Sequence, residues 1–145
     1  MATETRIQAF SQLLRRMGVL FAQIASRQSS AHETFSKPEL MTVDILGVRG
    51  SCRMGEIADH LGVVQSAITP LVDRLEDQQI VRRVRSRDDR RVWLVELTES
   101  GLDLYADQEK LYEAIAAEML APLNEVEQEV LITLMTRIGA TVAEA

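Results

Sequence analysis

Between Leu61 and Gly101 the hydrophobic period of the chain changes from helical to extended and back again, and few folds accept that order. The stretch reads LGVVQSAITPLVDRLEDQQIVRRVRSRDDRRVWLVELTESG. Over about Gln65–Gln78 the apolar residues Ile68, Leu71, Val72 and Leu75 return at helical spacing. Val81–Arg85 and Arg91–Leu97 are rich in β-branched residues and read as two strands, with Ser86–Arg90 as their turn and the adjacent Asp88 and Asp89 as turn formers. Thr98 then stands as the N-cap of a further long helix. A helix, a tight hairpin and a helix in succession predict a mainly α fold of the winged helix-turn-helix type, with the hairpin as a two-stranded β-wing.

The flanking segments complete that frame. A short helix is expected over about Met54–Leu61, with Ile57, Ala58 and Leu61 inward and Gly62 breaking it before the next. Ser36-Lys37-Pro38-Glu39 is a capping box with proline in the first turn, where its missing N–H does no harm. Its helix runs through Leu40, Val43, Ile45 and Leu46 and is expected to stop near Gly47–Gly50. Ile7, Phe10, Leu14, Met17, Phe21 and Ile24 form a heptad seam, which needs other helices to cover it, those of a second chain included. SRQSSAHETF after it reads as a loop or frayed helix end. Beyond Thr98, a helix through Leu102, Tyr105, Tyr112, Ile115 and Met119 is interrupted at Pro122. Asn124 with Glu127 then caps a last helix with Val130, Leu131, Leu134 and Ile138 inward. The expectation is one domain over 1–145, with a winged helix-turn-helix over 36–97 and N- and C-terminal dimerisation helices over 1–30 and 98–145. Aromatic residues are only 4% of the chain, so the core rests on aliphatic side chains. Trp93, Phe21, Phe35, Tyr105 and Tyr112 are expected inside it.

The net charge of −6 argues against a nucleic-acid partner until its distribution is read. Residues 49–91 hold nine basic and seven acidic side chains, whereas 92–145 hold two and eleven. Arg82–Arg91 alone contains six arginines against two aspartates. Phosphate binding depends on local field and counterion release, not on the whole-chain sum. Six arginines in ten residues exceed what solubility asks of a hairpin, and they imply double-stranded DNA as the partner. The alternative is a winged-helix module that binds a protein and no DNA, which the acidic last third favours.

Other classes find no support. No Gly-rich phosphate loop, HExxH, CxxC or GxSxG occurs, so no enzyme chemistry and no cofactor is expected. One cysteine, Cys52, and two histidines, His32 and His60, are too few for a metal site. Cys52 lies between Arg49 and Arg53, which favour a thiolate, but a lone cysteine is more often a small inert apolar residue. No apolar run reaches the roughly 18 residues of a membrane span. A cytoplasmic protein is expected.

At IADHLGV followed by SAITPLVDRLE, then IVRRVRSRDDRR, then VELTESG, the chain resembles the MarR family, the multiple-antibiotic-resistance type of transcriptional regulator. Asp89-x-Arg91 in the wing and Leu97-Thr98-x-x-Gly101 after it are the most specific matches, and the order of helices extends the likeness over nearly the whole chain. The resemblance implies a homodimer whose terminal helices interlock, whose winged modules bind a palindrome as a repressor, and whose binding a small-molecule effector, aromatic or phenolic, weakens. One departure concerns the reading helix. Family members often cap it with Ser or Thr, and here Val64 holds that place, with Pro70 a turn inside. A later start, capped by Gln65 or Ser66, would ease both.

Gln65, Ser66 and Thr69 head this helix, where short side chains reach base edges. Arg74 is read as a phosphate contact, against the alternative of a surface ion pair with Asp73 or Glu76. Arg87 and Arg90 are expected on phosphates at the wing tip. The resemblance implies that Arg91 enters the minor groove with Asp89 holding it, the alternative being a salt bridge internal to the hairpin. Arg82, Arg83 and Arg85 lie at the base of the wing, and at least one of them is expected to serve folding.

Overall fold

The computed structural model describes residues 2–28 and 30–143, and the His32 side chain lies outside what it describes. The elements are α1 (Ala2–Gln28), α2 (Ala31–Thr34), α3 (Lys37–Arg49), α4 (Met54–Leu61), α5 (Gln65–Asp77), β1 (Val81–Arg85), β2 (Trp93–Leu97), α6 (Glu99–Leu120) and α7 (Glu125–Ala143). The described residues fall into two compact units that divide between Leu111 and Tyr112.

In the first unit, local chemistry sets the helix ends. The Ser36 N–H donates to Glu39 Oε2 (2.8 Å) and the Glu39 N–H to Ser36 Oγ (3.4 Å), so the capping box at the head of α3 is complete. The helix runs to Arg49 and ends at Gly50 with φ +80°, within the Gly47–Gly50 stretch where it is expected to stop. Gly47 serves a different need: a Cβ there would lie 2.2 Å from the Tyr105 ring, so α3 and α6 close on each other only over a glycine. At the end of α4, Gly62 takes the left-handed conformation with φ +66°, which turns the chain toward α5.

The core is aliphatic. Leu40, Val43 and Leu46 of α3 pack with Ile57 and Ala58 of α4, Ile68, Val72 and Leu75 of α5, Val81 and Val95 of the wing, and Leu104 of α6. Cys52 belongs to it, because its N–H donates to the Val95 carbonyl (3.0 Å) and its carbonyl accepts the Val95 N–H (2.8 Å), which stitches a third edge onto the base of the wing. Phe35 and Tyr105 pack half-buried against this core and Phe21 is half-buried. Two aromatic residues depart from expectation: Tyr112 is exposed, and Trp93 is 49% exposed because, although it shares a face with the buried Val95 and Leu97, it stands opposite Arg85 at the distal end of the wing, past the core.

The wing pairs antiparallel, Val81 with Leu97 and Arg85 with Trp93. Its second strand begins at Trp93, two residues later than the sequence suggests. The cause is the turn, in which Asp89 Oδ1 accepts the Arg91 N–H (3.0 Å) and the Asp89 carbonyl accepts the Val92 N–H (2.9 Å), so that only the Val92 carbonyl still reaches across the hairpin, to the Ser86 N–H (2.9 Å). The Leu97-Thr98-x-x-Gly101 step now has a physical account. Thr98 Oγ1 accepts the Gly101 N–H (3.1 Å) and donates to the Gln79 carbonyl (2.5 Å), while the Thr98 N–H donates to the Ile80 carbonyl (3.0 Å). One residue thereby caps α6 and ties it to the end of α5. A Cβ at Gly101 would meet the Ile80 oxygen at 2.1 Å, so only glycine fits there.

Helix α1 anchors to this unit through Ile24 and Ala25, whereas Ile7, Phe10 and Leu14, the first half of the seam, are each more than half exposed. In the second unit, Asn124 and Glu127 exchange two bonds of 3.0 Å at the head of α7, and Gln128 Nε2 donates to the Leu120 and Leu123 carbonyls across the turn that holds Pro122. Val126, Val130, Ile132, Met135 and Ile138 of α7 are each at least half exposed.

Candidate nucleic-acid interface

Helix α5 buries Ile68, Leu71, Val72 and Leu75 and turns Ser66, Thr69, Pro70 and Asp73 outward, with Gln65 exposed at its start. It starts at Gln65, so the later start expected from the sequence does not occur. Val64 is the N-cap, in extended conformation, 70% exposed and with no side-chain cap bond. A valine there forgoes the oxygen that Ser or Thr would offer the first N–H groups, and no acidic residue sits in the first turn to replace it. Pro70 lies inside the helix and has no N–H for the Ser66 carbonyl. The head of α5 therefore presents backbone groups that the helix itself leaves unused.

The wing sorts its six arginines into two sets. Arg82 pairs with Glu96 directly across the strands (2.7 Å). Arg83 reaches back to α5 and pairs with both Asp73 (2.5 Å) and Glu76 (2.6 Å). Arg85 stacks on Trp93, 3.9 Å from the ring centroid, and donates to the Arg90 carbonyl (2.9 Å). These three serve the hairpin and its attachment. Arg87, Arg90 and Arg91 are exposed and form no ion pair among the described residues. A shallow hollow of about 360 Å³ lies at the tip, lined by Arg85, Ser86, Arg87 and Arg90.

Arg74 sits apart from both sets. Its Nε donates to Glu39 Oε1 (2.8 Å), so its partner comes from α3 and is neither Asp73 nor Glu76. Burial works to raise the Glu39 carboxyl, but the bonds from Arg74 and from the Ser36 main chain and hydroxyl outweigh it and hold that carboxyl below its ordinary range. The hydrogen bond to Asp73, with Glu76 beside it, raises Arg83 above its ordinary value against the opposing effect of burial. For Cys52, burial pushes the thiol up and Glu56 adds to it, which outweighs Arg49 and keeps the group from becoming a thiolate.

The structure thus gathers Gln65, Ser66 and Thr69 at one helix head and Arg87, Asp89, Arg90 and Arg91 at one hairpin tip, and leaves Arg74 on the flank of α5. Asp89 holds the Arg91 main chain, not its guanidinium. Sequence reasoning did not see the second role of Glu39 or the partners of Arg83. The capping box was a clear signal for Glu39, but its ion-pair partner is 35 residues away. Among the described residues, no group of three or more His, Cys, Asp or Glu side chains is placed to hold a metal ion, and no helix is long and apolar enough to cross a membrane.

An exposed helix head, with a β-ribbon packed on the same helix and tipped with unpaired arginines, defines a winged helix-turn-helix protein of the DNA-binding class. The sequence model of the MarR family matches residues 35–93. The chain is 31% identical over 101 residues to the HTH-type transcriptional regulator MhqR of Bacillus subtilis, which covers 70% of each chain. It is 30% identical over 122 residues to the HTH-type transcriptional repressor MdtR of the same organism, covering 83% of this chain and 79% of that one. The fold is similar to that of Streptococcus pneumoniae FabT in complex with DNA, with a TM-score of 0.79 at 22% identity over 97% of both chains. The chain belongs to the MarR family: it is a transcriptional regulator that binds DNA, and not an enzyme.

Proposed function

We propose that two copies of this chain form a cytoplasmic repressor of palindromic operators that a small-molecule effector releases. The observation that carries this reading is the sorting of charge in the wing, which pairs Arg82 and Arg83 with acids and leaves Arg87, Arg90 and Arg91 unpaired at the tip, in the same unit as an α5 head without a side-chain cap. In the proposal, residues 36–97 are the reading part, and residues 1–30 and 98–145 join the copies. Gln65, Ser66 and Thr69 meet base edges in the major groove, Arg87 and Arg90 meet phosphates, and Arg91, its main chain fixed by Asp89, enters the minor groove. Arg74 keeps its Nη groups for a phosphate while Nε stays on Glu39. Two such heads about 34–36 Å apart fit successive major grooves. The exposed apolar faces of α1 and α7 support the pairing of copies, because they are too extensive for a monomer in water.

For release, a ligand must bind one spacing of the heads better than the other, typically by about 1–3 kcal/mol. An apolar hollow of about 290 Å³ lined by Pro38, Met41, Leu61, Val63 and Leu71, with Arg74 at its edge, has the size and lining for one aromatic ring bearing an acidic or phenolic group.

The test is recovery of bound fragments from genomic DNA, followed by fluorescence anisotropy on the recovered duplex. The expected result is a dimer in solution whose affinity falls steeply with salt and drops by about 1–3 kcal/mol in Arg91→Ala. A monomer without preference for any duplex at low salt refutes the proposal.

A further inference from the structure

We propose that Arg83 serves DNA binding without touching DNA, by cancelling two carboxylates that the reading helix would otherwise turn toward phosphate. This rests on the reading of α5 and the wing tip as the DNA-facing surface.

Helix α5 is a poor candidate for a polyanion on its own residues. It carries Asp73, Glu76 and Asp77 against the single cation Arg74, and Arg74 is engaged by Glu39 on α3. Asp73 stands on the same outward face as Ser66 and Thr69. Left alone, that carboxylate and its neighbour would repel the backbone of any duplex that the helix approached. Arg83 meets both from β1. Its Nη2 donates to Asp73 Oδ1 at 2.5 Å and its Nη1 to Glu76 Oε1 at 2.6 Å, while its main-chain N–H donates to Glu76 Oε2 at 3.2 Å. A planar guanidinium can span two acids in this way, whereas an ammonium is a point charge that serves one at a time. The side chain is only 27% exposed, against 61% for Arg82 one residue earlier, so little of it remains for a phosphate. The arginine at the base of the wing therefore acts through Asp73 and Glu76.

The experiment measures duplex affinity across a range of salt for the full chain carrying Arg83→Ala, for Asp73→Asn with Glu76→Gln, and for all three substitutions together. Circular dichroism checks that each variant folds. Arg83→Ala is expected to weaken binding on the order of ten-fold, as uncancelled like charges across an interface do. The triple variant, which has no acids left to cancel, is expected to regain affinity to within about three-fold of the parent, with an unchanged slope of log affinity against log salt. If the triple variant stays as weak as Arg83→Ala, or if the magnitude of its slope falls by about two, one contact for each copy of the dimer, Arg83 touches the duplex directly and the proposal is overturned. Should Arg83→Ala fail to fold, the acid-neutralised pair decides: with the carboxylates gone and Arg83 present, affinity must hold or rise, and a loss beyond about five-fold refutes the idea. Arg91→Ala and Ser66→Ala serve as controls. If they weaken binding and the triple variant is not rescued, only the role of Arg83 falls. If neither changes affinity, the reading of the interface falls and this inference with it.

Discussion

Replacing Glu39 tests how α3 holds the reading helix in place. Its carboxylate is 5% exposed and makes two bonds, one from the Ser36 N–H (2.8 Å) that completes the α3 cap and one from Arg74 on α5 (2.8 Å). Glu39→Ala removes both. The cap bond contributes about 0.5–1.5 kcal/mol, and a bond to a charged group about 1.5–3 kcal/mol. The second figure must be discounted, because Arg74 is 56% exposed and water screens it. The expected loss is about 2–3 kcal/mol for Glu39→Ala. It is about 1 kcal/mol for Glu39→Gln, which keeps an oxygen for Ser36 and gives up only the charge. Urea denaturation reads both. The pH dependence gives the sharper check. The Glu39 carboxyl is held below its ordinary value in the folded chain, so its contribution is fully present above the unfolded pKa of about 4.3 and is lost as pH falls through the lower folded value. The advantage of the parent over Glu39→Gln should therefore stay constant from about pH 8 to pH 5 and shrink on further acidification. An advantage that is absent at neutral pH, or that persists unchanged below about pH 3, would refute this account of the Glu39–Arg74 pair.

Three further outcomes follow from the same geometry. Val64→Ser should stabilise the fold by about 0.5–1 kcal/mol in urea, because it supplies the missing cap oxygen to α5; an unchanged midpoint would show that the cap position does not limit stability. Cys52 is 1% exposed and its thiol is pushed up by burial and Glu56, so an aromatic disulfide reagent should modify it only as fast as the chain unfolds; rapid stoichiometric reaction in native buffer would contradict that. For a dimer, phosphate contacts by Arg74, Arg87 and Arg90 in each copy should give log affinity against log salt a slope of about −5, at roughly −0.9 per phosphate neutralised. A slope near −16, which all nine basic residues of 49–91 in two copies would give, would mean that the paired arginines also reach phosphate.

What the sequence made legible is what neighbours in the chain decide. The Ser36–Glu39 and Asn124–Glu127 boxes are reciprocal bonds over three residues, and both stand as expected. Helical spacing gave the buried face of α5, and the β-branched run gave the wing. The illegible part lies in pairings over distance. Arg74 has two acids beside it in sequence, yet the Cα positions of a helix carry it to the flank where α3 packs, and it meets Glu39. Those two acids turn instead to Arg83, because β1 returns alongside α5. Trp93 carries every mark of a core residue. It even shares the face of the buried Val95 and Leu97, but its place at the distal end of β2, against Arg85, carries it past the core. Gly47 lies in the stretch where α3 is expected to stop, but nothing local shows its second role, which Tyr105, far along the chain, creates by occupying the space that a side chain would need.

Local rules of stability fail in this chain mainly at the α5 head and the adjoining wing. Val64 leaves a helix uncapped at a cost of about 0.5–2 kcal/mol relative to a good cap. Pro70 inside the same helix costs up to about 3 kcal/mol relative to an ordinary residue. Arg87, Arg90 and Arg91 crowd three cations onto one turn with no acid on their guanidinium groups. Against a domain stability of about 5–15 kcal/mol these are large concessions. The heads of α3 and α7, by contrast, carry complete capping boxes, and the buried acid Glu39 has its partner. Each concession also leaves something unspent: N–H groups at a helix start, a carbonyl at Ser66, three charges at a tip. Folding alone gives no reason to leave such groups unused in one unit, whereas a phosphate-lined groove uses all of them at once. Consistency broken in this way at a surface is what a binding site imposes on a sequence, and it picks out the same residues as the charge distribution does.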